Sequence, residues 1–126
     1  MRPARNRNAP MSEARVVDPD DSKLITLARA ARARNASAEG AAVRDDTGRT
    51  YVATTVDLPS LPLSALQAAV VMAVASGAEA LEAAAIVSPV PEVRPSDLSA
   101  VADLTPGAPV FLAGLDGAVH HTAKAT

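Results

Sequence analysis

The side chains able to do chemistry in this 126-residue sequence are mostly hydroxyls and carboxylates. Cysteine is absent, which excludes disulfides, thiolate metal sites and a cysteine nucleophile. Ser64, Ser96 and Ser99 carry nucleophilic oxygens, but no Gly-x-Ser-x-Gly motif surrounds them and no His–Asp pair stands at a recognisable spacing. Ser64 and Ser96 each precede a segment of helical spacing, so we interpret them as helix N-caps.

Candidate metal ligands are equally few. His120 and His121 are the two imidazoles, and adjacent residues of a strand point to opposite faces, so they cannot easily chelate one ion together. Asp97 and Asp103 lie on or near one short predicted helix, but their spacing does not make them a metal-binding pair on one face. We therefore expect no metal site, and we expect both histidines to be exposed near a fraying end.

Composition indicates one domain with a core of small aliphatic side chains. Hydrophobic residues make up 48% of the chain and aromatic residues only 2%, and alanine is the most common residue. Small side chains each bury little area, at about 25 cal/mol per Å². We therefore expect modest stability of the monomer and some help from self-association.

Charge and hydropathy bound the partners. The net charge of -2 gives no electrostatic case for a nucleic-acid partner. No apolar run is long enough to span a bilayer, and no apolar segment follows the N-terminal arginines as in a secretory signal. These features predict a cytoplasmic protein without a membrane or nucleic-acid partner.

The chain divides into a tail and an α/β domain. Residues 1–19 are rich in Pro, Arg, Asn and Asp and lack apolar periodicity, which predicts a disordered arm that could start at Met1 or Met11. Residues 20–126 form the domain, in the order α-β-β-α-β-α-β-β, which implies a mixed sheet with helices on its faces. The predicted helices cover about 22–35, 64–76 and 95–104, and the strands 40–44, 50–56, 81–87, 109–113 and 118–123.

Particular signals support these elements. Asp20, Asp21 and Ser22 are N-cap candidates for the first helix. A turn signal, DTG at 46–48, joins the first two strands as a hairpin, and two prolines predict a loop over 57–62. The second helix is apolar on nearly all faces, which predicts that it is the buried one.

Five short segments, in this order, resemble the cytidine deaminase family. The longest covers residues 64–77, which have the sequence SALQAAVVMAVASG where the family has CAERTAIFKAVSEG. The other four are EGAAV at 39–43 for VGAAL, DTGRTY at 46–51 for EDGRIY, TTVD at 54–57 for CNVE, and PVFL at 109–112 for PVYL. The resemblance spans residues 22–123. It implies a three-layer α/β/α fold with a mixed five-stranded sheet, and a homo-oligomer, either a dimer or a tetramer.

The same resemblance shows which residues of these zinc nucleoside deaminases are missing. Ser64 stands at a zinc-binding cysteine, and Leu66 stands at the general acid/base glutamate. The family's PCGxC loop best matches PSDLS at 95–99, which places Ser96 and Ser99 at the other two cysteines, and a register shifted by a residue or two also fits the loop. A serine hydroxyl stays protonated near neutral pH and is a poor zinc ligand. A leucine cannot transfer a proton at all.

The resemblance implies an eroded nucleoside pocket. Thr55 and Asp57 correspond to the family's Asn and Glu, which hold the ribose hydroxyls, and they are the candidate ligand-binding residues. Asp57 keeps a carboxylate but is one methylene shorter, and by itself it could equally cap the following loop. We expect Leu66 to occupy the position of the zinc and its water and thereby to close the cavity.

Three functions follow as hypotheses. The first is a catalytically inactive deaminase-like protein that acts as a self-associating binding module, with a nucleoside as candidate ligand and no metal cofactor. The alternative is a nucleoside deaminase whose zinc ligands are not recognisable in the sequence. The third is a sensor that binds a nucleoside through Thr55, Asp57 and backbone groups. The residues identify neither a biological partner nor a pathway.

Overall fold

The computed structural model of the protein describes residues 17–126. The first 16 residues, which make up most of the predicted disordered arm, lie outside the described part of the chain. The helices are α1 (Pro19–Asn35), α2 (Ala65–Ala75) and α3 (Pro95–Ala102). The strands are β1 (Gly40–Asp45), β2 (Thr50–Thr54), β3 (Val56–Leu58), β4 (Leu61–Leu63), β5 (Leu81–Val87), β6 (Pro109–Ala113) and β7 (Val119–Lys124).

Helix α1 begins earlier than predicted because Asp18 caps it. The Asp18 carboxylate accepts a hydrogen bond of 2.8 Å from the backbone N–H of Asp20. Pro19 occupies the first helical turn, where its missing N–H is not needed. The predicted cap at Asp20 to Ser22 is therefore wrong, and the predicted boundary at residue 20 falls inside this helix.

The main sheet is mixed and has five strands in the order β2-β1-β5-β6-β7. Strands β5 and β6 are parallel, whereas the β1–β2, β1–β5 and β6–β7 pairs are antiparallel. The central strand β5 is buried at six of its seven residues, as expected of a strand covered on both faces. This confirms the α/β class and the mixed five-stranded sheet.

Helices cover both faces of this sheet, which gives the three layers. On one face, Leu24 and Ala28 of α1 pack in a cluster with residues such as Ala85 of β5. On the other face, α2 contributes Leu66 to a larger cluster that includes Ile86 of β5. Alternate residues of β5 thus serve opposite cores, as the two-residue period of a strand requires.

A close approach between α1 and β1 fixes the spacing of the first two layers. Gly40 is buried, and a Cβ added there would overlap the carbonyl oxygen of Ala28 and lie 3.0 Å from the Cβ of Arg32. The backbone of α1 therefore passes directly over the first residue of β1, which only glycine permits.

Three further predictions about secondary structure fail. Ser96 does not cap α3, because Arg94 is the N-cap residue and Pro95 is already helical. The loop predicted over 57–62 is a small antiparallel sheet, in which β3 and β4 pair Val56 with Leu63 and Leu58 with Leu61. Helix α2 is not buried on all faces, because Val71 is 52% exposed and Val74 is 51% exposed. An apolar helix therefore presents one face to the sheet and another to the surface.

The predicted turn after β1 is organised by Asp45, the last residue of that strand. Its Oδ1 accepts hydrogen bonds from the Thr47 hydroxyl at 2.7 Å and from two backbone N–H groups, and its Oδ2 accepts one from the Tyr51 hydroxyl at 3.0 Å. The Thr47 hydroxyl bond, reinforced by the other donors, lowers the pKa of Asp45 from 3.8 to about 2.

We expect Asp45→Asn to flatten the acid limb of the stability curve. Because the pKa is lower in the folded state, the carboxylate's contribution to stability is complete above the unfolded value of 3.8 and is lost as the pH falls towards about 2. The free energy of unfolding, measured by urea titration at several acidic pH values, should therefore depend less on pH in the variant. Asp46→Asn, an exposed neighbour, controls for the lost charge. An unchanged acid limb in Asp45→Asn would contradict this account.

Candidate functional site

A cleft of about 420 Å³ opens between the start of α2, the loop after β5 and the small β3–β4 sheet. Its walls combine apolar side chains with hydroxyl, amide, carboxylate and guanidinium groups, which is the usual mixture in small-molecule sites. The lining residues are Ala38, Glu39, Thr55, Val56, Asp57, Pro62, Leu63, Ser64, Gln67, Ser88, Pro89, Val90, Arg94 and Ser96.

Ser64 stands at the floor of the cleft as the N-cap of α2, as predicted. Its Oγ accepts a hydrogen bond of 3.1 Å from the backbone N–H of Gln67. The side chain of Gln67 returns the interaction by accepting from the N–H of Ser64 at 2.9 Å, which completes a capping box. Both serine groups are therefore committed to the helix start.

The Ser64 hydroxyl also donates to a buried carboxylate. Its hydrogen bond to Oδ1 of Asp97, in the first turn of α3, is 2.6 Å long. Asp97 is only 1% exposed, and this burial raises the pKa of its carboxyl above the ordinary value, although the Ser64 bond opposes the shift. The contact ties the starts of α2 and α3 together.

Arg94 completes the charged group at this end of the cleft. Its Nη2 forms a salt bridge of 2.7 Å with Oε2 of Glu39, and its Nη1 lies 3.5 Å from Oδ2 of Asp97, a second ionic contact. Glu39 also accepts a bond of 2.8 Å from the Ser88 hydroxyl. The side chains of Glu39 and Asp97 are 5% and 1% exposed, whereas that of Arg94 is 42% exposed. One half-exposed cation thus faces two buried carboxylates.

The structure brings some of the predicted site residues together and separates others. Thr55 and Asp57 both line the cleft with Ser64. Within the described residues, the buried Oγ1 of Thr55 has no hydrogen-bond partner, and Asp57 is exposed. Ser96 is exposed at the cleft wall, while Ser99 lies at the surface and donates to the carbonyl of Thr126 at 3.5 Å.

Leu66 is wholly buried in the core formed by α2 and the sheet, with 0% exposure, and it is not part of the cleft wall. The expectation that it closes the cavity is wrong, because a cleft remains open beside Ser64. A leucine one residue into α2 points towards the sheet, whereas Ser64 and Gln67 point towards the cleft.

The contact between Ser64 and Asp97 favours the shifted register that the loop also allows. Three thiolates around one zinc at about 2.3 Å each lie roughly 4 Å apart, so side chains at such positions must nearly touch. Asp97 meets Ser64 in this way, and Arg94 precedes it by the same spacing that separates Ser96 from Ser99. A shift of two residues aligns Arg94 and Asp97 with the family's two cysteines, and of these two Asp97 bonds to Ser64.

These side chains are not suitable zinc ligands. The Ser64 hydroxyl and the Asp97 carboxylate already bond to each other, and a guanidinium carries a positive charge and no lone pair for a metal. Nowhere in residues 17–126 do three or more His, Cys, Asp or Glu side chains cluster closely enough to hold an ion. We therefore derive no step through a metal.

Neither histidine lines the cleft. His120 is exposed, whereas His121 is partly buried and accepts a hydrogen bond of 3.2 Å at Nδ1 from the backbone N–H of Val93. The expectation that both are exposed is therefore wrong for His121, which instead supports the loop that carries Arg94. Across the described part of the chain, none of the helices is long and apolar enough to cross a membrane.

Comparison with known proteins supports the fold described above. A family model for cytidine deaminase-like proteins matches residues 17–117. The fold is similar to that of a cytidine deaminase from Burkholderia pseudomallei, with 24% identity, a TM-score of 0.70, and coverage of 82% of this chain and 91% of that one. It is also similar to a cytidine deaminase from Mycobacterium leprae, with 20% identity, a TM-score of 0.62, and coverage of 82% and 93%. No curated protein matches the chain.

Proposed function

Because the chain belongs to the cytidine deaminase-like family, we propose that it is a non-catalytic member that uses the fold as a self-associating, ligand-binding module. The observation that carries this proposal is Leu66. It matches the family's acid/base glutamate, yet it is fully buried in the core and contributes nothing to the cleft. Hydrolytic deamination needs a group that moves a proton between water, ring nitrogen and leaving amine, and an aliphatic side chain cannot do so.

The cleft supports binding without chemistry. Its volume of about 420 Å³ falls within the usual range of small-molecule sites, about 300–1,000 Å³. The unpaired Oγ1 of Thr55 gains free energy from any ligand group that bonds to it, because a buried polar atom without a partner is costly. The exposed carboxylate of Asp57 can accept hydrogen bonds from ligand hydroxyls. A nucleoside carries both the hydroxyls and the apolar ring that such walls accommodate.

The surface of α2 supports self-association. Val71, Met72 and Val74 are each about half exposed on one helix, and a groove of about 640 Å³ runs beside them towards α3. Contiguous patches of exposed apolar side chains often mark sites of interaction with another protein. A second copy of the chain, as a dimer or tetramer, is the proposed occupant. A cytoplasmic location stays a prediction from composition.

Thermal denaturation with a nucleoside panel tests the ligand. Cytidine, deoxycytidine, uridine and guanosine at millimolar concentration should include at least one that raises the melting temperature of the wild-type chain, because binding to the folded state stabilises it. Asp57→Ala should abolish that rise, whereas Asp103→Ala, at the far end of α3, should retain it. The absence of a shift with every nucleoside would refute the ligand assignment.

The remaining parts of the proposal are checked on the same preparation. Light scattering should give the mass of a dimer or tetramer, and a monomer would contradict self-association. Incubation with the same nucleosides should release no ammonia, and elemental mass spectrometry of protein purified without chelator or affinity metal should find no stoichiometric zinc. Turnover together with bound zinc would establish a deaminase with other ligands.

A further inference from the structure

We propose that the guanidinium of Arg94 replaces a metal ion as the central cation of this site. An internal salt bridge then stabilises the domain, and zinc does not change its stability. The inference concerns how the domain is held together and does not depend on whether the cleft binds a ligand. It starts from the shifted register, in which Arg94 and Asp97 align with the family's two cysteines and Asp97 bonds to Ser64.

The network joins four separate elements at one point. Glu39 directly precedes β1, Ser64 caps α2, Ser88 directly follows β5, and Arg94 and Asp97 lie at the start of α3. Hydrogen bonds of 2.6 and 2.8 Å link Ser64 to Asp97 and Ser88 to Glu39, and a salt bridge of 2.7 Å links Arg94 to Glu39. Nothing local in sequence holds these ends together, because the bonded residues lie from 33 to 55 positions apart. A cross-link of this kind does the structural work of a metal centre.

The charges explain why a cation is required there. Glu39 and Asp97 are both almost completely buried, and the charge of Glu39 raises the cost of ionising Asp97. Arg94 reaches both with different nitrogens of one planar group, which remains charged at any ordinary pH. The guanidinium already compensates the charge of the two carboxylates. A divalent cation that entered here would be repelled by Arg94 and would have to displace it from these carboxylates.

A double-mutant comparison separates a charge role from simple packing. Arg94→Met keeps much of the aliphatic stem but removes the charge, and Glu39→Gln with Asp97→Asn removes the charges it compensates while keeping acceptors for Ser88 and Ser64. In the wild-type background, Arg94→Met should lower the folded-to-unfolded ratio roughly 30-fold or more, because it leaves buried carboxylates unpaired. In the neutral Glu39→Gln/Asp97→Asn background, the same change should cost only about fivefold or less.

Urea unfolding at neutral pH gives both ratios. Arg34→Met, at an exposed position in the last turn of α1, is the matched control and should leave the midpoint unchanged. If Arg94→Met does not fold alone but folds in the neutral background, the proposal is supported. Equal losses in both backgrounds, or failure to fold in both, would overturn it, because either result would show that the stem or the backbone matters and the charge does not.

The metal arm uses zinc itself. Addition of zinc chloride or of EDTA to the wild-type chain should leave its melting temperature unchanged, because no site for the ion remains. A fall in melting temperature with EDTA that zinc restores would also overturn the proposal. This outcome is independent of ligand binding and of oligomeric mass, so it leaves the proposed function to be judged by its own tests.

Discussion

Leu66→Glu should lower the free energy of unfolding by about 4 kcal/mol or more, with no gain of deaminase activity. Leu66 is fully buried in the core between α2 and the sheet, so the glutamate would have to bury an unpaired carboxylate and give up the packing of the leucine. Loss of a buried leucine alone costs about 2–5 kcal/mol, and an unpaired buried polar group adds at least about 1–3 kcal/mol more. Urea unfolding of the two proteins measures the difference.

The catalytic half of this expectation follows from the same geometry. A glutamate at position 66 would restore one residue type of the family. Its side chain would start from a buried position in the core, and the side chains of the neighbouring site do not fit zinc. Ammonia release from cytidine should therefore stay at background. Leu66→Met, which conserves volume, is the control and should cost less than about 1.5 kcal/mol. Zinc-dependent turnover by Leu66→Glu would show that the metal site is intact and that the charge network has been misjudged.

Gly40→Ala is the second change with a large expected effect. The added methyl group would overlap the carbonyl oxygen of Ala28, and this is backbone within a helix that cannot turn aside as a side chain can. Either α1 moves away from the sheet or β1 shifts, and both changes loosen the hydrophobic cluster between them, which includes Leu24 and Ala85. Overpacking typically costs about 1–3 kcal/mol and more where backbone must move, so we expect about 3 kcal/mol or more.

The control for this prediction is another glycine with more freedom. A Cβ at Gly114 would meet the Asp116 carboxylate at 3.2 Å, which is the far end of a side chain at the surface and can rotate away. Gly114→Ala should therefore change the urea midpoint much less than Gly40→Ala. Similar midpoints for both variants would mean that α1 does not pass as close to β1 as described.

The parts of the fold that were predictable carry local signals. The DTG turn between β1 and β2 and the apolar run of β5 each determine their own conformation within a few residues, and the structure places them as predicted. The β3–β4 pair was missed because Pro59 and Pro62 suggest a loop. These prolines are tolerated because the pair stands apart from the main sheet and has no further strand to bond.

Exposure of α2 could not be predicted for a different reason. Its residues are apolar on nearly all faces, so periodicity says little about which face meets the sheet. Only the packed structure shows that Leu66 and Ala69 face the core while Val71 and Val74 face outward. The sequence therefore predicted a buried helix where the structure has an apolar surface.

The candidate site was predictable by position but not by chemistry. Ser64, Thr55 and Asp57 were named from the sequence, and all three line the cleft. Arg94 was missed, and Asp97 was considered only as a metal ligand, because matching cysteines to serines compares residues of similar size. What the structure shows instead is compensation of charge between segments distant in sequence. The available signal was the three-residue spacing of Arg94 and Asp97, which equals that of the two serines.

The central place of β5 has a consequence for synthesis on the ribosome. Strands β1 and β2 can pair as soon as their hairpin has emerged, but the other edge of β1 has no partner until residues 81–87 have been made. Helix α2 emerges in that interval and can pack only on the β1–β2 hairpin, because β5, which completes its core, has not yet been made. A nascent chain ending between residues 64 and 80 therefore displays an open strand edge and an apolar helix together, which makes this the stage of translation most exposed to aggregation.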